Sequence, residues 1–291
     1  MDDRDWLILH TLYREKSITR AGQSLYIAQP TLTKRLKQIE KEFGVTIVHR
    51  GIKGVQFTPE GEYLAKRAGE MLSTLREIKE DLNNFNHQVA GTLRLGVSNY
   101  FSKYKLPGLL RLFKEQYPQV DFQVETGFSR DIFNLVYNQD VHIGFVRGDY
   151  SWSGEKLLVM EERLCIASKH KIELSELPHL PRIDYRTDAL YKALVDNWWA
   201  EHYIQPPTVA MVVDQGDTCK EMVLNGLGYA IIPSMFFENI ENIHLVYLTD
   251  KQGNPLIRKT WMFYQEESLE LNVVKAFVEF VNADMESVKN G

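Results

Sequence analysis

The chain has 291 residues, 44% hydrophobic and 25% charged, which is enough for more than one domain with a substantial core and excludes bulk disorder. No apolar run approaches the roughly 20 residues a membrane-spanning helix needs, so no membrane partner is expected. The net charge of -5 argues against nucleic acid if taken whole, but residues 14–53 hold nine Lys and Arg against Glu15, Glu40 and Glu42, a local +6, and phosphate binding depends on local charge.

The acidic start, Met1-Asp2-Asp3-Arg4-Asp5, lacks the basic and apolar character of a secretory leader, so a cytoplasmic protein is expected. Trp6, Leu7, Leu9, Leu12 and Tyr13 then form a helical apolar stripe. Ser17 stands in capping position before a short second helix, Ile18 to Leu25. Tyr26-Ile27-Ala28 is a tight connection. Gln29 opens a third helix, where Pro30 is tolerated in the first turn. Leu32, Leu36, Ile39 and Phe43 make its buried face, and Gly44 ends it. The other face shows Gln29, Thr31, Thr33, Lys34, Arg35, Lys37 and Gln38.

Two short helices joined by a tight turn, the second polar and basic outside, describe a helix-turn-helix. The N-terminal part of its second helix enters the major groove. Gln29, Thr31 and Thr33 have the length to reach base edges, Arg35 suits guanine, and Lys34 and Lys37 suit phosphates. Ser17, Thr19, Arg20 and Pro30 complete the expected DNA-contacting set on these helices. Residues 45–50 and 54–58 alternate like a hairpin with Gly51-Ile52-Lys53 at its tip. As a wing, it would bring Arg50 and Lys53 to phosphate or the minor groove. The competing interpretation is a plain helical subdomain with a hairpin.

Thr58-Pro59-Glu60 is a good helix start. Leu64, Ala68, Met71, Leu75, Ile78, Leu82 and Phe85 follow at alternating spacings of four and three, a heptad seam that calls for a partner helix. A homodimer meets that demand and supplies the second helix-turn-helix that two half-sites require. Packing of the seam against its own domain is the alternative. Residues 83–88 read as a hinge around Asn86.

Beyond it, strand and helix patterns alternate, which predicts parallel sheets with helices on both faces. The expected organisation is a winged helix-turn-helix at 1–58 and a dimerising linker helix with hinge at 59–88. Two doubly wound α/β lobes follow, lobe I at 89–163 and 265–291 and lobe II at 164–264, with crossings near Glu161–Arg163 and Tyr264–Glu266. Ligands of such sheets sit beyond the C-terminal strand ends. That points to Ser98, Asn99, Tyr100, Gly127, Phe128, Ser129 and Arg147 in the first lobe, and to Ser168, Asp214 and Thr218 in the second. Ser98 and Thr218 stand where helix N-termini offer free N–H groups, and Arg147 is a natural carboxylate partner, so an anionic effector is expected. A surface salt bridge is the plainer role for Arg147.

Ser17-Ile18-Thr19-Arg20-Ala21, Leu25, Gln29-Pro30, Thr33, Leu36, Ile39-Glu40, Phe43-Gly44, Arg50, Thr58 and Gly61 together make the sequence resemble the LysR-type transcriptional regulators. Weaker matches lie at residues 144–147 and 226–233. Gly22 departs from the usual Ala, Thr33 from the common Ser, and Val48-His49 from Leu-Phe. The resemblance implies a winged helix-turn-helix, a long dimerising helix, and an effector region shaped like a periplasmic binding protein. It also implies a dimer or tetramer on promoter DNA, and contact with RNA polymerase if the protein is an activator. The effector does not follow from it.

No HExxH, GxSxG, P-loop or GxGxxG pattern is present, so neither an enzyme nor a metal or cofactor is expected. Cys165 lies in an apolar run. Cys219 lies near a helix start that would lower its pKa, which leaves a redox-responsive regulator open. A constitutive DNA binder without effector is a further alternative.

Overall fold

Asp2 starts the first helix, α1 (Asp3–Glu15), by a reciprocal cap: its carboxylate accepts from the Asp5 N–H at 3.1 Å, and the Asp5 carboxylate accepts from the Asp2 N–H at 2.9 Å. The computed structural model describes residues 1–51, 54–84, 88–238 and 240–289. It divides into two units, Met1–His87 and Gln88–Gly291.

In the first unit the Ser17 hydroxyl accepts from the Arg20 N–H at 3.3 Å and starts α2 (Ile18–Ser24). Then α3 (Gln29–Phe43) ends where Gly44 turns left-handed at φ 68. Leu32, Leu36 and Ile39 pack with Ile8, Leu9, Leu12 and Ile47 in one apolar cluster. Strands β1 (Val48–Gly51) and β2 (Gly54–Phe57) form the antiparallel hairpin, with Arg50 opposite Val55. Its tip, Ile52 and Lys53, lies outside the described residues.

Thr58 donates its hydroxyl to the Thr46 carbonyl at 2.6 Å and accepts from the Gly61 N–H at 2.9 Å, which fixes the entry of α4 (Pro59–Asn84). A Cβ on Gly61 would stand 2.0 Å from the Ile47 carbonyl oxygen, so only glycine lets α4 lie this close. The heptad seam divides in two. Leu64 and Ala68 are buried in the unit's own core beside Leu9 and Leu12, which corrects their assignment to a dimer contact. Met71, Leu75, Ile78 and Leu82 stay exposed. The first turns of α4 are needed to cover α1, and the period alone does not say which partner a stripe meets. The expected hinge begins inside α4, and its central residues 85–87 lie outside the described residues.

The second unit holds a mixed sheet of order β4-β3-β5-β11-β6-β9-β7-β8, with β10 also on β6. Strands β3 (Gly91–Ser98), β4 (Val120–Gly127) and β5 (Ile143–Arg147) are parallel, with α5 (Asn99–Tyr104), α6 (Leu106–Gln116) and α7 (Ser129–Tyr137) between them. The long β6 (Glu155–Ser168) leads to β7 (Arg182–Tyr185), α8 (Ala189–His202), β8 (Val209–Val213), α9 (Gly216–Leu224), β9 (Tyr229–Pro233) and β10 (His244–Tyr247). The chain closes with β11 (Ile257–Tyr264) and α10 (Asn272–Lys289). Strand β7 runs parallel to β8 and β9, whereas β6 and β11 run antiparallel to all their neighbours.

Two expectations change. The sheet is not parallel throughout, because two strands cross between its halves. In addition, β11 pairs with β5 from Thr260 to Tyr264, after Ile257–Lys259 has paired with Glu161–Arg163 of β6, so the return crossing lies in the first half of β11 and not at Tyr264–Glu266. Leu93, Val97, Phe113, Phe145 and Phe277 fill the first core, and Trp198, Trp199, Tyr191 and Tyr229 the largest part of the second.

Ala68 has no free space beside α1. Ala68→Leu is expected to destabilise the first unit by about 1–3 kcal/mol through overpacking, measured by urea unfolding. A variant as stable as the parent would return Ala68 to the exposed seam.

Candidate DNA interface and effector cleft

In the first unit Gln29, Pro30, Thr31, Lys34 and Lys37 are exposed along α3, and Thr33 is half-buried. The N-terminal end of α3 is tied to α2, since the Thr19 hydroxyl donates to the Gln29 side-chain oxygen at 3.5 Å. Thr19 and Arg20 are exposed beside it; the Arg20 guanidinium also donates to the Glu15 carbonyl. Ser17 serves chiefly as the α2 cap. Only the backbone of Arg50 is described, and Lys53 not at all.

Arg35 departs from its expected place. Its guanidinium donates through Nε and Nη2 to the two Asp5 carboxylate oxygens, the second at 2.8 Å, and to Asp2 at 3.1 Å. Asp5 is only 1% exposed, so Arg35, itself 38% exposed, neutralises a buried carboxylate and is not a free guanidinium on α3. The acid three residues into α1, with its cap role, was the sequence signal for this pairing.

In the second unit Ser98, Asn99, Tyr100, Gly127, Phe128, Ser129 and Arg147 all line one cavity of about 350 Å³. The opposite wall is Tyr185, Arg186, Thr187 and Asp188 after β7, Gln215, Gly216 and Asp217 at the start of α9, and Phe236 and Arg258. Ser168 is not there. Because β6 runs antiparallel to β9, Ser168 pairs with Tyr229 at the far end of β9, while Leu164 pairs with Pro233 at the cleft end. Asp214 and Thr218 only flank the lining residues of α9. Taking β6 as parallel is what misplaces Ser168, and Arg258 escapes a local reading because it arrives on a crossing strand.

Two buried ion pairs stand in this wall. Arg147 pairs with Glu162, 1% exposed, while its guanidinium carbon lies 4.5 Å from the Tyr100 ring centre. Arg258 pairs with Asp188 and lies 4.5 Å over Tyr191. The same Asp188 caps α8 by accepting from the Tyr191 N–H at 2.8 Å. Burial, and then the nearby Arg147, hold the Arg258 guanidinium below its ordinary value against the pull of Asp188. Burial pushes the Tyr100 hydroxyl up, with Glu162 adding to it. Burial would also raise Asp217, but hydrogen bonds from Tyr104 and Lys103 hold it below the usual carboxylate value. The Arg147 N–H donates to the Ser129 hydroxyl at 3.2 Å. The Ser98 hydroxyl and Arg147 Nε are buried without a partner.

Both cysteines are buried thiols. Burial pushes each up to about 12, so the helix start does not activate Cys219. Cys219 instead faces the Ile183 carbonyl at 3.7 Å inside an apolar cluster. No group of three or more His, Cys, Asp or Glu that could hold a metal occurs among the described residues. No helix among them is long and apolar enough to cross a membrane.

A helix-turn-helix unit followed by an α/β unit with a walled cleft is the architecture of a DNA-binding regulator with an effector-binding domain. Family models agree: the bacterial regulatory helix-turn-helix protein, lysR family, matches residues 4–62, and the LysR substrate binding domain matches residues 86–286. The transcriptional regulator YraN of Bacillus subtilis (strain 168) is 41% identical over 284 residues, covering 98% of each chain. YkuM of the same organism is 32% identical, covering 94% of each. The chain belongs to the LysR family of transcriptional regulators. Among solved structures, the full-length Vibrio cholerae virulence activator AphB matches with a TM-score of 0.67 at 15% identity, covering 97% of this chain and 99% of that one. Full-length CbnR complexed with its target DNA matches with a TM-score of 0.67 at 17% identity, covering 97% and 99%.

Arg35→Ala is expected to lower the melting temperature, because it strands the buried Asp5 carboxylate, and Asp5→Asn in the same chain should restore part of the loss. A variant that melts like the parent and loses only operator affinity would give Arg35 back its base-reading role. Neither thiol should react with iodoacetamide near pH 8 until denaturant is added. Rapid native labelling of Cys219 would revive the redox reading.

Proposed function

We propose that this LysR-family regulator reads promoter DNA through the exposed face of α2 and α3 and responds to a small anionic effector held around Ser98, Ser129 and Arg147. The observation that carries the anionic reading is that two donors, the Ser98 hydroxyl and Arg147 Nε, are buried without a partner at one cavity, beside the likewise unpartnered Tyr185 hydroxyl and Glu162 Oε1. Among the ionisable side chains of its lining, Lys103, Arg147, Arg186 and Arg258 outnumber Asp188 and Asp217. Helices α7 and α9, each nine residues long and without a side-chain cap, direct their N-terminal ends at the same space. A cavity of about 350 Å³ suits a ligand of few atoms, at the small end of such sites.

Homodimerisation along Met71, Leu75, Ile78 and Leu82 completes the reading, because a helix-turn-helix dimer spans two half-sites. A tetramer, and contact with RNA polymerase in an activator, follow from the same family logic. The resemblance to CbnR on its target DNA supports a duplex as partner. The buried, protonated thiols favour ligand sensing over redox sensing.

A panel of small carboxylates and their matching amides, added in thermal-shift assays, tests the effector reading. At least one carboxylate should raise the melting temperature while its amide does not. Ser98→Ala should weaken that carboxylate by roughly ten- to a hundredfold, the worth of one hydrogen bond to a charged group. If only uncharged compounds stabilise the protein, the anionic reading fails.

A further inference from the structure

The turn between α2 and α3 ends α2 with a left-handed residue, and it places there a large aromatic side chain that is almost fully exposed. Tyr26 adopts φ 54, in the left-handed region, which costs a bulky residue on the order of 1 kcal/mol. Its side chain is 98% exposed, so no burial offsets the cost. The backbone that holds it there is tightly specified. The Ile27 N–H donates to the Gly22 carbonyl at 2.8 Å and the Tyr26 N–H to the Gln23 carbonyl at 3.2 Å. A Cβ on residue 22 would meet the Ile27 carbonyl oxygen at 2.7 Å, so Gly22 permits this course of the chain.

Two residues later the turn reaches Ala28, the cap of α3, and Gln29, its first residue. Tyr26 therefore lies three residues before Gln29, next in the chain to the end of α3 that enters the groove on the helix-turn-helix reading. The left-handed backbone is what ends α2, so the turn is ordered before any partner arrives, and an exposed aromatic ring on it costs little further ordering to bind.

We propose that Tyr26 is a DNA-backbone contact: its ring packs against a deoxyribose and its hydroxyl donates to a phosphate oxygen of the strand flanking the major groove. The inference rests on the helix-turn-helix reading and adds a neutral, aromatic anchor to its polar and basic set. Sugar and phosphate are the same at every base pair, so the contact is blind to sequence. A neutral donor releases no counterion, so it leaves the salt dependence unchanged.

The test uses the full chain with Tyr26→Gly and Tyr26→Phe, followed by thermal melting and by fluorescence anisotropy on two duplexes. One is the DNA immediately upstream of its own gene, and the other is a random sequence of equal length. Tyr26→Gly should melt at the parent's temperature or above, because the left-handed turn suits glycine. It should nevertheless bind both duplexes about five- to tenfold more weakly, with the same slope against log salt. Tyr26→Phe should keep the ring's share and lose only the hydroxyl's. Parental affinity in Tyr26→Gly overturns the proposal, as does a loss confined to the upstream duplex, which would make Tyr26 a base reader. A marked fall in melting temperature would overturn it by showing a structural role. A parent chain that binds neither duplex would instead sink the underlying DNA reading.

Discussion

The antiparallel pairing of β6 with β11 is the constraint on which the ligand-binding unit depends. These strands carry the chain out of the first group of parallel strands and back, and their register sets the chemistry of the cleft. Arg258 lies opposite Glu162, and Thr260 lies opposite Arg147 on its other side. Four buried polar side chains on three adjacent strands thus share one face. A slip of one residue would turn them to the other side and put apolar neighbours in their place. Few interactions in the unit are as intolerant of error, because a guanidinium left facing apolar packing loses its partner and its solvent together.

Where local chemistry decides, the sequence was readable. The Ser17 cap, the Gly44 stop and the Thr58 entry to α4 are local hydrogen-bonding choices, and each element begins or ends at them. The first-lobe wall of the cleft was equally legible, since β3, β4 and β5 are parallel and their ends fall together. Hydropathy carries no strand direction, however, and Ser168 fails for that reason alone. Arg258 and Asp188 are 70 residues apart and meet only through the return of β11, so no local pattern announces them. The seam of α4 shows a similar limit. Its period is continuous from Leu64 to Leu82, but the partner changes partway, from the unit's own α1 to an exposed face.

Charge in the first unit is organised by the same economy. The acidic start of the chain, which suggested only where the protein resides, is a structural device: Asp2 and Asp5 cap α1 and engage Arg35. The basic excess available to phosphate is therefore smaller than the raw local tally, and it is concentrated on Lys34, Lys37 and Arg20, which remain exposed. On the proposed reading, tying Arg35 to Asp5 leaves base discrimination to the shorter, neutral side chains of Gln29, Thr31 and Thr33. Such groups read edges by hydrogen-bond pattern rather than by charge, which favours specificity over non-specific affinity.

The cleft poses the complementary electrostatic problem. Each of these two buried guanidinium groups is stacked on a tyrosine and paired with one carboxylate, so the four charges of Arg147, Glu162, Arg258 and Asp188 cancel, although Arg147 Nε is left without a partner. On the proposed reading an incoming anion upsets that balance, and the added negative charge competes with Glu162 and Asp188 for the same two cations. Glu162 belongs to a crossing strand and Asp188 caps α8, so loosening either pair shifts the footing of one wall relative to the other. A ligand alters an equilibrium only by the difference in its affinity for the two states. Counter-ion exchange supplies such a difference, because the pairs it weakens tie the crossing strands to β5 on one side and to the start of α8 on the other.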